Sequence, residues 1–174
     1  NLLIRQKKAL QVSFNEQKKI LHSDMKELLE MQNREMTALY NEQISYLERI
    51  IEELLTMEDE IKKNYELVQT VIGVGPITAG LLICQTNNFN DFKCPRKFAS
   101  YIGIAPFPNQ SGGRIGKDRV SSKANKKLKG VLSNGVQTAM QYDPFLKAYS
   151  ERLKASNKEA GIIYNNVENK LIQR

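Results

Sequence analysis

Leu47-Glu48-Arg49-Ile50-Ile51-Glu52-Glu53-Leu54-Leu55-Thr56-Met57 returns an apolar residue in steps of three and four, at Leu47, Ile50, Leu54 and Met57, and the series continues to Ile61. That spacing lays a stripe along one side of an α-helix, and it lacks the period of two that a strand needs. Toward the amino terminus the stripe is carried by Leu10, Phe14, Leu21, Met25 and Leu28, and it blurs around Met31 and Met36. Toward the carboxyl terminus it closes with Tyr65 and Val68. From about Leu3 to Val68 there is no Gly and no Pro, and good helix formers dominate. One helix of roughly sixty residues would span about 90 Å with its seam exposed. The segment must therefore pair with another chain or fold back as a hairpin, near Gln32 to Thr37 where the stripe blurs.

The rest of the chain also reads as helical. Aromatic residues make up 7% and Trp is absent, a poor supply for tight all-β packing. The first helical run stops at Val71-Ile72-Gly73-Val74-Gly75, where Pro76 opens a helix whose Ala79 and Gly80 permit close packing beside Leu81, Leu82 and Ile83. A polar turn from Thr86 to Asp91 leads to Pro95 and a short amphipathic helix through Phe98, Ala99 and Ile102. Ser121 is expected to cap a helix running to about Gln141, Asp143-Pro144 to restart one over Leu146, Tyr149 and Leu153, and Ala160 to Ile172 to form the last. The expected fold is all-α: a long coiled-coil helix or helical hairpin over residues 1–66, then a small helical domain over 67–174.

Charge divides the chain. Residues 1–66 hold ten Lys/Arg and thirteen Asp/Glu, whereas residues 67–174 hold sixteen and six, so the net of +7 comes from the second part. Between Lys93 and Lys129 stand ten basic residues and one acid, Asp118. A near-neutral scaffold joined to a polyanion-binding module fits this asymmetry.

Several chemistries are excluded by count or spacing. His22 is the single histidine, between charged helix positions, which rules out a histidine-based triad or zinc site and suggests a surface residue. Cys84, in an apolar run, reads as a core residue, and Cys94 precedes Pro95; neither suggests a disulfide or zinc, and a reducing cytosol is the default. Glu58, Asp59 and Glu60 are consecutive, so on a helix they point apart and do not build a metal site. Gly112 and Gly116 are separated by three residues rather than four, and Asp118 follows Lys117, which removes the phosphate-loop reading. No apolar run reaches eighteen residues, so no membrane span is expected. The opening at Asn1, directly in helical pattern, suggests a piece of a longer protein.

Ser111 lies in a glycine-bracketed, otherwise basic loop, Gln110-Ser111-Gly112-Gly113-Arg114-Ile115-Gly116-Lys117-Asp118-Arg119, which runs into Lys123, Lys126 and Lys127. A hydroxyl among guanidinium and ammonium groups suits attack on a phosphodiester, because the cations hold the backbone and offset charge building on phosphorus. Ile72-Gly73-Val74-Gly75-Pro76-Ile77-Thr78-Ala79 resembles a helix-hairpin-helix turn, in which glycines and free helix-start amides approach a phosphate. The candidate contacts are Ser111 for chemistry and Gly73, Gly75, Gly112, Arg114, Lys117, Arg119, Lys123, Lys126 and Lys127 for nucleic acid. No metal ligands are assigned.

In order, these motifs resemble one family. After the glycine turn come Phe98, Tyr101, Gly103, Ala105 and Pro106, then Gln110-Ser111-Gly112, Arg119-Val120-Ser121, Ala124-Asn125-Lys126-Lys127-Leu128-Lys129 and Asp143-Pro144. The series, over roughly residues 67–165, is similar to the C-terminal domain of transposases of the insertion-sequence family called IS one-ten, with its IS one-sixteen and IS nine-oh-two relatives. The resemblance implies that Ser111 is the nucleophile that bonds to a DNA phosphate, and that a bridge RNA selects the DNA partners. It also implies that Mg2+ is held by acids of a RuvC-like domain upstream, with no cofactor in this stretch. The family's Ser-Lys-Arg-Gly-Asn appears as Ser121-Ser122-Lys123-Ala124-Asn125, displacing the lysine by one, and its common Arg after the leucine is Lys129. The expectation is a DNA transposase of the bacterial cytoplasm, oligomeric through its coiled coil and inactive as this stretch alone. The rival is a non-enzymatic coiled coil presenting a basic head to nucleic acid.

Overall fold

The computed structural model describes residues 2–107, 110–111, 114–116 and 120–174; for Gln110, Ser111, Arg114 and Ile115 only the backbone is described. Helix α1 (Leu2–Ile20) and helix α2 (Ser23–Thr56) are followed by α3 (Asp59–Gln69), α4 (Pro76–Thr86) and α5 (Pro95–Ile102). A two-residue ladder of β1 (Gln110–Ser111) and β2 (Arg114–Ile115) precedes α6 (Lys126–Tyr142), α7 (Pro144–Ala155) and α8 (Ala160–Ile172). The fold is all-α, with that ladder as the one strand pair among the described residues. It divides into two compact units, residues 1–54 and 55–174.

The first unit is a helical hairpin. The Lys7 ammonium donates to Asn41 Oδ1 at 2.6 Å, and Lys18 pairs with Glu30 at 2.6 Å. Both pairs are centred on residue 24, so α1 runs antiparallel along the first half of α2. The chain reverses at Leu21-His22, not at the expected Gln32 to Thr37, which lies within α2. The blur in the stripe has another cause. Met31 and Met36 face outward, 52% and 43% exposed, while Asn33 and Thr37 are turned inward, with Asn33 Oδ1 and Thr37 Oγ1 buried and unpartnered. A polar notch interrupts the seam without breaking the helix, because no residue there lacks an N–H or clashes with the preceding turn. His22, in the turn, is exposed.

In the second unit, α6 is the common wall of two cores. Tyr65, Ala79, Leu82, Ile83, Phe98, Ile102 and Ile104 pack with Leu128 and Leu132 near its start. Leu146, Leu153, Ile163, Val167 and Leu171 pack with Val136 and Ala139 near its end. Leu128, Leu132, Val136 and Ala139 follow helical spacing, and the two cores divide them in order along the axis. Phe92, Phe98 and Tyr101 form an aromatic knot beside the first core, with ring centroids 4.9–6.4 Å apart. Cys84, expected in the core, is exposed. The apolar run over α4 is too long for one buried stripe, and this position falls on its outer face.

The turn between α3 and α4 requires its first glycine. Gly73 has φ +98°, and a Cβ placed there would lie 2.3 Å from the Gly135 carbonyl oxygen. The relation is mutual, since a Cβ on Gly135 would lie 2.3 Å from the Gly73 oxygen. Two main chains meet where neither residue carries a side chain. At the other end of α6, Asp143 caps α7, accepting from the Phe145 and Leu146 amides at 2.9 and 3.0 Å, with Pro144 in the first turn. The Arg174 guanidinium also pairs with the Asp143 carboxylate.

Candidate nucleic-acid interface and serine loop

The serine loop is fixed first at its root. Helix α5 ends in left-handed Gly103, φ +80°, followed by buried Ile104. Carbonyls at the end of a helix lack intrahelical donors; three at or just past the end of α5 receive one from distant residues. The Asn125 amide donates to the Tyr101 carbonyl at 2.9 Å. The Lys129 ammonium reaches Gly103 O at 3.0 Å, and Asn165 Nδ2 reaches Ile104 O at 3.0 Å. A Cβ on Gly103 would come within 2.7 Å of Ala124 Cβ and 2.8 Å of Val120 Cγ1. The outgoing and returning arms of the loop therefore meet at this glycine.

Toward the tip, Ser111 lies opposite Arg114 and Gln110 opposite Ile115 in the antiparallel ladder. The backbone thus sets the serine and the arginine in register. By sequence the pair between them is Gly112-Gly113, the composition that two-residue hairpins favour. Gly112, Lys117 and Arg119 are outside the described residues.

The return arm corrects the expected cap of α6. Ser121 Oγ accepts from the Lys123 amide at 3.2 Å, in a turn of its own. The cap is Asn125, whose side chain accepts from Leu128 N at 3.1 Å. The Asn125 amide group also donates to Gln85 Oε1 at 2.9 Å and to the Tyr101 hydroxyl at 3.1 Å. One residue thereby joins α4, α5 and α6. Ser and Asn are both good caps, and only the tertiary partners on α4 and α5 decide between them.

That cap places Lys126 and Lys127 in the first turn of α6, both exposed, with no acid in the turn and Lys123 exposed just before it. Cations at a helix amino terminus oppose the helix dipole and weaken the helix locally. They also concentrate positive potential where backbone N–H groups already point outward. Helix α5 repeats the arrangement with exposed Arg96 and Lys97 after Pro95, again without an acid in the first turn. The amides of Lys97 and Arg96 hold the Cys94 thiol below its ordinary pKa, as expected at an electropositive helix start. Arg96 and Lys97 lie outside the motifs that carry the sequence reading; the signal that marks them is an acid-free first turn with two adjacent cations.

The two turn glycines differ. Gly75 precedes α4, is exposed, and has open space where a Cβ would sit, so a phosphate has room to approach. Gly73 is half-buried against Gly135, and the absence of its side chain has a packing cause independent of any ligand.

Behind the loop root lies a buried carboxylate, Glu168, 1% exposed, which accepts from Ser133 Oγ at 3.0 Å. Burial raises its pKa, against the lowering effects of the Ser133 hydroxyl and the Lys129 ammonium. The Tyr164 hydroxyl donates to the Ser133 carbonyl at 3.0 Å. Among the described residues there is no group of three His, Cys, Asp or Glu that could hold a metal ion. No described helix is long and apolar enough to cross a membrane.

The family model described as "Transposase IS116/IS110/IS902 family" matches residues 65–151, from within α3 to within α7. Over 119 residues, 58% of the chain, it is 27% identical to a protein of insertion element IS116 from Streptomyces clavuligerus. It is 30% identical over 83 residues, 48% of the chain, to a putative transposase, y4pF/y4sB, of Sinorhizobium fredii. It is 26% identical over 128 residues, 65% of the chain, to the transposase for insertion sequence element IS1111A of Coxiella burnetii. The matched stretches cover 30%, 21% and 35% of those relatives, so the chain spans about a third of their length or less.

Proposed function

Because the chain belongs to the IS116/IS110/IS902 family of transposases, we propose that it is the coiled-coil and serine-bearing portion of an enzyme that cuts and rejoins DNA through Ser111. Ser111 Oγ attacks a DNA phosphorus, and a serine–phosphate ester forms. The bond to the departing nucleoside oxygen breaks, and the serine proton ends on that oxygen. One ester replaces another, so strand exchange needs no nucleotide hydrolysis. Arg114, Lys117, Arg119, Lys123, Lys126 and Lys127 hold phosphates, which positions the strands without reading bases. The backbone at Gly75, Gly73 and Gly112 adds contacts, and a bridge RNA chooses the partners. The hairpin associates with further copies, since two DNA partners call for several serines. Mg2+ belongs to a domain outside this chain.

The observation that supports this reading best is the register of Ser111 opposite Arg114 on a loop whose two arms meet at Gly103. A serine alcohol is a weak nucleophile, so its environment must be arranged for it. In the full-length protein with metal and RNA, Ser111→Ala is expected to abolish the covalent protein–DNA adduct while DNA binding persists. Recombination by Ser111→Ala refutes the reading. The exposed cations at the starts of α5 and α6 serve a non-enzymatic nucleic-acid scaffold equally well, and an adduct distinguishes the two.

A further inference from the structure

We propose that Asn165 and Glu168 of α8 are positioning residues for the Ser111 loop. The inference rests on the reading of Ser111 as nucleophile and extends it to a helix beyond the stretch that the family model matches. Helices α6 and α8 share a polar strip beside the second core. Lys129 and Ser133 are one turn apart on α6, and Tyr164, Asn165 and Glu168 follow a matching spacing on α8. Glu168 holds the Ser133 hydroxyl, and Tyr164 holds the Ser133 carbonyl, so this turn of α6 is pinned to α8 through both its side chain and its main chain. From the same strip two side chains reach outward, and both end on the loop root: Lys129 on Gly103 O and Asn165 on Ile104 O.

A buried carboxylate costs stability that an apolar side chain would not. Here it secures the helix whose next turn supplies the Gly103 anchor and whose first turn carries Lys126 and Lys127. The polar strip therefore sets the loop entrance relative to the cations that would hold the phosphate. In-line attack depends steeply on such placement, since an error of about 1 Å can cost about a hundredfold in rate.

The test uses the full-length protein with Mg2+, its RNA and a duplex carrying the element's end. Glu168→Leu, Glu168→Gln and Asn165→Leu are compared with wild type and with Ser111→Ala. The readouts are the adduct rate at saturating DNA, the DNA affinity, the melting temperature and amide exchange over residues 101–107. Glu168→Leu and Asn165→Leu are expected to slow the saturated rate about tenfold or more. Exchange at the loop root should quicken while DNA affinity stays within about twofold. Glu168→Gln, which keeps an acceptor for Ser133, should return the rate to within about twofold of wild type. Wild-type rates in both leucine variants overturn the positioning role while leaving the nucleophile intact. A loss in DNA affinity instead of rate, or no rescue by glutamine, also overturns it. Adduct formation by Ser111→Ala instead sinks the underlying reading. Should Glu168→Leu not fold, Asn165→Leu, at a half-buried position, carries the test.

Discussion

Gly135→Ala and Gly130→Ala are the same substitution in the same helix, and the packing predicts opposite signs. At Gly130 a Cβ meets nothing within 4 Å, so alanine gains helix propensity alone, about 0.5–1 kcal/mol. At Gly135 the Cβ falls 2.3 Å from the Gly73 oxygen and 3.1 Å from its carbon. The first distance is about 1 Å inside the ~3.3 Å that carbon and carbonyl oxygen keep in close contacts. Both partners are main chain, so no rotamer offers relief, and the cost lies in the upper part of the range for overpacking, about 2–3 kcal/mol. After the propensity gain, Gly135→Ala should be about 1–2 kcal/mol less stable than wild type, lowering the melting temperature by roughly 5 °C. Gly130→Ala should raise it by a few degrees. Thermal and urea denaturation followed by circular dichroism give both values. If Gly135→Ala proves as stable as Gly130→Ala, the two backbones do not touch, and the account of why Gly73 is glycine falls with them.

Two further outcomes follow from the charged groups. Replacing Lys123, Lys126 and Lys127 with alanine should reduce the slope of log affinity against log salt by about 3, at about 0.9 per phosphate contact on duplex DNA, with affinity lowered alike for all sequences. An unchanged slope in a salt titration removes these lysines from the interface. Asp143→Ala should cost about 2–3 kcal/mol through the lost cap and the stranded Arg174. For Asp143, burial alone would raise the pKa, but the Leu146 and Phe145 amides and the Arg174 guanidinium more than offset it, so the carboxyl is held below its usual 3.8. A depressed carboxyl contributes stability above the unfolded-state pKa and loses it as pH falls through the folded-state value. The gap between wild type and Asp143→Ala should therefore be full at pH 7 and close only below about pH 3.8; equal gaps at pH 7 and pH 2 contradict the assignment.

What the sequence disclosed, and what it withheld, follows the reach of each signal. The helical period, Pro76 and Pro95 as helix starts and the Asp143-Pro144 restart are local, and the structure has them. Hairpin formation was open from the exposed seam, but its turn was misplaced, because polar Asn33 and Thr37 on the inner face look like an interruption when only apolar residues are followed. The exchange of Ser121 for Asn125 as cap depends on Gln85 and Tyr101, far away in sequence. Gly73 drew attention as a possible phosphate contact, and its partner Gly135 is 62 positions further on, beyond any local pattern. Glu168 was invisible for a statistical reason: a glutamate on a terminal helix is ordinarily solvated, and nothing nearby marks it as buried. The Ser111 loop was legible as a series of motifs, while the side chains that hold its root, Lys129 and Asn165, come from two helices further along the chain.

Helix α6 belongs to both cores, and the root of the serine loop is tied to it and to its neighbour α8. A force applied at Lys126 or at the loop entrance is not absorbed by a surface segment. It is handed to a helix that packs against α4, α5, α7 and α8. On the proposed reading, the residues that would grip a strand are therefore mounted on the packed framework of the second unit and not on a separate flap.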